Sequence, residues 1–93
     1  MLFRSQHAGN AEELLARIEA NPTDCEAREK LATLLITQGQ YEAALQQFLE
    51  IMRIDRAYNE AAGRKGMIQI FEMLGESHPL TLPYRRKMFG MLH

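Results

Sequence analysis

The apolar pattern of the nine residues ending in Gly39 recurs in the nine residues ending in Gly75, and this repetition limits the chain more than any other feature. Leu31-Ala32-Thr33-Leu34-Leu35-Ile36-Thr37-Gln38-Gly39 aligns with Met67-Ile68-Gln69-Ile70-Phe71-Glu72-Met73-Leu74-Gly75 at an offset of 36 positions. At the same offset Phe48 falls on Tyr84 and Met52 on Met88; at an offset of 34, Leu15 falls on Leu49 and Ile18 on Met52. A unit of this length holds two helices, cannot bury its own apolar face, and stacks on its neighbours to form one continuous core. The two extra residues lie around Asp55 to Asn59.

Proline and glycine cut the chain into helix-sized segments. Asn21-Pro22 ends the first, Gly39 the second and Gly75 the fourth, and Ser77-His78-Pro79 opens the last. Within each segment the apolar residues recur at helical spacing: Leu14, Leu15 and Ile18; Ala27, Leu31, Leu34 and Leu35; Tyr41, Leu45, Phe48, Leu49 and Met52; Met67, Ile70, Phe71 and Leu74; Tyr84, Met88, Met91 and Leu92. No stretch alternates long enough for a strand. The spacing predicts an all-α stack of about five helices, near 11–20, 24–38, 41–54, 60–74 and 80–92, within a domain over 10–93 and behind an extension over 1–9. Asn10 with Glu13, and Thr23 with Glu26, each have the spacing of a capping box. Pro79 and Pro83 predict an irregular first turn in the last helix, regular from about Pro83 onward.

Composition narrows the function classes. The 93 residues allow one small domain. With 46% hydrophobic and 25% charged residues, the chain has the balance of a folded globular protein. A net charge of −1 offers no footprint for nucleic acid or an anionic membrane. The sequence has neither a membrane-spanning run nor a secretory signal, and its single cysteine, Cys25, permits no internal disulfide. These features predict a cytoplasmic protein. Ser5, Ser77, Cys25, His7, His78 and His93 have no spacing that joins a nucleophile to a base or gathers metal ligands, so no catalytic, metal or cofactor site is expected.

The central unit, from Asn21-Pro22-Thr23-Asp24 through Gly39-Gln40-Tyr41-Glu42-Ala43-Ala44-Leu45 to Phe48, resembles a tetratricopeptide repeat. It departs from that pattern at Ile51, where a small residue is usual, and at Arg56, where a proline is usual. Further along come Asp55-Arg56, Ala61-Ala62-Gly63-Arg64-Lys65, Ile70-Phe71-Glu72-Met73-Leu74-Gly75, His78-Pro79-Leu80 and Tyr84-Arg85-Arg86-Lys87-Met88. This string is similar to the carboxy-terminal domain of the bacterial thioredoxin-like co-chaperones, the chaperedoxins. The resemblance runs from about Asn10 to the end. It implies a non-catalytic domain that holds unfolded protein clients and passes them to the bacterial chaperonin or to an Hsp70-type chaperone. There is no Cys-x-x-Cys, so the redox half of such a protein is absent from this sequence.

The first helical segment reads as the second half of a repeat without its first half, as in an excised fragment. Met1-Leu2-Phe3 is expected to fold over Leu14, Leu15 and Ile18, or the chain to form a homodimer through them. Partner contact is expected along the last helix, at Arg85, Arg86, Phe89 and Leu92, with Tyr84 anchoring that helix in the core. Glu26, Glu29 and Thr33 are expected to face the groove, an acidic and neutral surface that would repel a peptide carboxylate. Met67 and Met88 lie on apolar stripes and read as core filling, whereas Met73, Phe89 and Met91 are candidates for an exposed patch. Two other functions fit the residues less well: an architectural or dimerisation element packing on a missing amino-terminal domain, and nucleic-acid binding through Arg85 to Lys87, a lone basic run.

Overall fold

The computed structural model describes the backbone from Leu2 to Leu92 and the side chains from Ala11 to Leu92. It contains five helices: α1 (Leu2–Ala20), α2 (Cys25–Thr37), α3 (Tyr41–Ile54), α4 (Tyr58–Leu74) and α5 (Thr81–Leu92), with no strand among the described residues. The all-α stack expected from the repeat is the architecture found. The helix expected near 11–20 is longer, so Asn10 falls within α1 and not at its start. The stretch before Asn10 holds no proline and one glycine, Gly9, and nothing in it stops a helix. The expected covering of Leu14, Leu15 and Ile18 by Met1-Leu2-Phe3 lies outside the described residues. Leu15 is 53% exposed, while Leu14 packs with Ala27 and Leu31 in a small cluster between α1 and α2.

The cap of α2 also differs from the expected capping box. Asp24, and not Thr23, is the N-cap: its Oδ1 accepts from the Ala27 amide at 3.0 Å. Thr23 is engaged elsewhere, donating its amide (3.3 Å) and hydroxyl (2.9 Å) to Asn21 Oδ1 in a side-chain-closed turn. Arg17 reaches across from α1 to Asp24 at 3.1 Å and to Glu26 at 3.0 Å, fastening the first two helices at the turn.

The main core is built on α3. Ala44, Leu45, Phe48, Ile51 and Met52 are all buried and meet α2 on one side and α4 on the other. Ile51, one of the departures from the repeat pattern, is fully buried in this layer. The approach of α4 depends on Gly63 and Gly66. A Cβ at Gly63 would come 2.8 Å from the Phe48 carbonyl oxygen, and one at Gly66 would overlap the buried Phe48 ring. The missing side chains let the ring lie against the α4 backbone.

The first turn of α4 is left-handed. Asn59 (φ 49), Glu60 (φ 59) and Ala61 (φ 65) precede the regular helix, which runs on from Ala62. This is where the repeat carries two residues more than the preceding unit, and the left-handed turn coils up the excess. Bonds to Glu29 of α2 hold it: the Tyr58 hydroxyl donates to Oε1 at 3.1 Å, and Asn59 Nδ2 donates to Oε2 at 3.2 Å and to Oε1 at 3.4 Å.

Candidate functional site

The placement of α5 determines the surface near the carboxy terminus. The helix begins at Thr81, so Pro83 falls at its third residue. The first intrahelical bond runs from the Tyr84 amide to the Leu80 carbonyl, and Pro83 therefore removes no bond. The turn before it is closed by Thr81 Oγ1 donating to the Gly75 carbonyl at 2.7 Å and by the Leu80 amide donating to His78 Nδ1 at 3.1 Å. His78 thus has a local structural role.

The anchoring side chains of α5 point toward α3. Tyr84 is 4% exposed; its hydroxyl donates to Glu42 Oε2 at 3.0 Å and accepts from Gln46 Nε2 at 3.2 Å. Burial raises the Tyr84 pKa and the bond to Glu42 adds to this, so the hydroxyl keeps its proton. Met88 is buried in the same core, as expected, and so is Met67. At the other end of the helix, Arg56 Nη1 donates to the Met91 carbonyl at 3.0 Å. The second departure from the repeat pattern therefore ties the α3–α4 connection to the last turn of α5.

Because α5 is moored to α3 and meets α4 sparsely, a cleft of ≈ 480 Å³ lies between α4 and α5. Its floor is apolar, made by Ile68, Phe71 and Met88. Its rim carries Arg64, Glu72, Glu76 and Arg85. The Arg85 guanidinium stands 5.6 Å from the centroid of the Phe71 ring, a cation–π contact that fixes it at the cleft. Phe89 is 49% exposed at the edge.

The expected partner-contact residues divide on this geometry. Arg85 and Phe89 line the cleft, whereas Arg86 and Leu92 are exposed outside it and Tyr84 is buried beneath. Lys87 lies 4.7 Å from the centroid of the Tyr84 ring, so two cations of the basic run rest on aromatic faces. Met73 is exposed, and Met91 is partly buried against the core.

Glu29 and Thr33 line a smaller groove of ≈ 330 Å³ between α2 and α4, floored by Phe48 and bordered by Lys65 and Gln69. Glu29 is already bound to Tyr58 and Asn59 there. Burial, helped by the Glu29 carboxylate, pushes the Tyr58 hydroxyl up to about 12, so it remains a donor at physiological pH. Glu26 is turned to Arg17 and Lys30 and does not line this groove. A further hollow of ≈ 460 Å³ between α1 and α2 is lined by Leu14, Arg17, Lys30 and Leu34, among others. Cys25 is buried, and desolvation, with Asp55 and Asp24 nearby, raises its thiol pKa against the pull of Arg28. Among the described residues no three His, Cys, Asp or Glu side chains group as metal ligands.

Sequence reading had not singled out Arg64, Ile68, Glu72 or Glu76 as site residues. Their signal was the spacing of Arg64, Ile68 and Glu72 at i, i+4 and i+8, which places those three on one stripe of α4, whereas Glu76 lies in the turn beyond Gly75 and carried no helical signal. Their role depends on the separation of α5 from α4, which the repeat alone does not specify.

Among the described residues no helix is long and apolar enough to cross a membrane. No curated protein and no solved structure matches the chain. A family model described as tetratricopeptide repeat matches residues 4–93. Domains of this kind are typically non-catalytic and mediate protein–protein interaction. With nearly its whole length matched, the chain belongs to the tetratricopeptide-repeat family.

Proposed function

We propose that this chain is the client- and chaperone-binding domain of a bacterial, cytoplasmic thioredoxin-like co-chaperone. In this reading α5 is the partner-contact element. Family membership supports an interaction role, and the string of residues from Asp55 to Met88 supports the narrower assignment. The observation that carries the site is the exposure of Arg86, Phe89 and Leu92 on a helix anchored from below by Tyr84. An aromatic side chain and a guanidinium displayed on a held helix are the residue types that concentrate binding energy at protein interfaces.

The test is saturable binding of the chain to purified bacterial chaperonin. Truncation after Leu82 would also remove buried Tyr84 and Met88, so surface variants are the better probes. Phe89→Ala and Arg86→Glu are each expected to weaken binding by about tenfold or more, equivalent to roughly 1.4 kcal/mol, while the helical circular-dichroism signal is unchanged. A folded wild-type chain that does not bind chaperonin would eliminate chaperonin docking as its role.

A further inference from the structure

We infer that the α4–α5 cleft is a self-association surface whose occupant is the same cleft of a second copy of this chain. The first observation is the charge on its rim. Arg64 and Arg85 face the cleft together with Glu72 and Glu76, and among the described residues none of the four forms an ion pair within the chain. Elsewhere among the described residues some charges pair, such as Arg17 with Asp24 and Glu26 or Arg53 with Glu50, and others, such as Arg86 and Lys87, do not; what marks the cleft is that two charges of each sign stand together on one face without pairing.

Two cations and two carboxylates on one face do not select a strongly acidic or strongly basic partner. They do complement themselves. In a two-fold dimer each residue i meets j while j meets i, so the arginines of one copy meet the glutamates of the other twice over.

The second observation is shape. Half-exposed Phe89 stands at the edge of a cleft floored by Phe71 and Met88, so knob and hole lie on the same face. Rotation about a two-fold axis places each Phe89 over the partner's floor. Buried aromatic area at the centre with a charged rim is the usual anatomy of a specific interface. The chain's net charge of −1 sets little long-range repulsion against a second copy. The inference goes beyond the co-chaperone reading. Because Arg85 and Phe89 belong to both surfaces, the dimer and a bound partner would exclude one another.

The experiment is sedimentation equilibrium on the full chain and on two double variants that leave the buried residues untouched. Arg64→Glu with Arg85→Glu makes the rim all acidic; Glu72→Arg with Glu76→Arg makes it all basic. The wild-type chain is expected to dimerise with rising concentration, each double variant alone to associate at least about tenfold more weakly, and an equimolar mixture of the two to recover a heterodimer. The mixing step does not depend on which arginine meets which glutamate. It also separates lost pairing from lost folding, since a misfolded chain would not be rescued by its counterpart. A wild-type chain that stays monomeric into the millimolar range overturns the inference. So does a dimer that both variants leave intact, which would place the interface elsewhere, for instance at Leu15. Neither result bears on chaperonin binding, which Arg86→Glu reads outside the cleft.

Discussion

Asp24 carries three tasks with one carboxylate: it caps α2, receives Arg17 from α1, and sits beside the turn closed by Asn21. The Ala27 amide, and after it Arg17, hold its pKa below the usual carboxylate range, against the opposing effect of burial. A carboxyl whose folded pKa is depressed adds stability that is fully present above the unfolded value of about 3.9 and is lost as pH falls through the folded value. Acidification from about pH 5 downward should therefore loosen the α1–α2 junction. Asp24→Asn keeps a competent cap but removes the charge. The variant should show a flatter acid limb in thermal melts than the wild type. Equal acid sensitivity of the two would assign the effect to other carboxylates. Thr23 and Asp24 are adjacent polar residues at the same boundary, and the sequence pattern alone favoured Thr23 because Glu26 follows it by three. The competing bonds to Asn21, local to the turn, decide otherwise.

At the scale of the helices, periodicity made α2, α3 and α5 legible. The apolar spacing and the glycines at 39 and 75 placed α3 at its observed limits, and α2 and α5 to within a residue at either end. What it could not reveal is conformation that local pattern does not encode. The left-handed turn at Asn59, Glu60 and Ala61 is one such case: the chain there looks like the start of an ordinary helix, and only the surplus of two residues between units hinted at a detour. Left-handed geometry costs a non-glycine residue roughly 1–2 kcal/mol, which the bonds from Tyr58 and Asn59 to Glu29 help to offset. Ala61→Gly should thus raise stability by about 1 kcal/mol in denaturant unfolding. The same substitution in a right-handed helix interior would lower it by about 1 kcal/mol. The sign of the change is the readout, and a loss would show that Ala61 is right-handed in solution.

For the molecule as a whole, the order of packing sets an order of stability. The chain extends 44 × 27 × 19 Å, a short stack whose centre is α3 and whose far side is α5. Repetition in the sequence indicated that stack but not the gap between its last two helices, because the gap depends on where Tyr84 and Arg56 attach. These two ties have a kinetic consequence. Helix α5 hangs on the Tyr84 hydroxyl and the Met91 carbonyl, with Tyr84 and Met88 as its largest buried side chains, whereas α3 is enclosed on both sides. Amide protons of α5 should exchange with solvent deuterium through a sub-global opening, at least about tenfold faster than those of α3, which need the whole core to open. Tyr84→Phe should accelerate the first set and leave the second unchanged; uniform acceleration would mean the domain opens as a single unit. The helix offered for binding is then also the one most easily released, and a partner that grips it would register as slowed deuterium uptake confined to the last dozen residues.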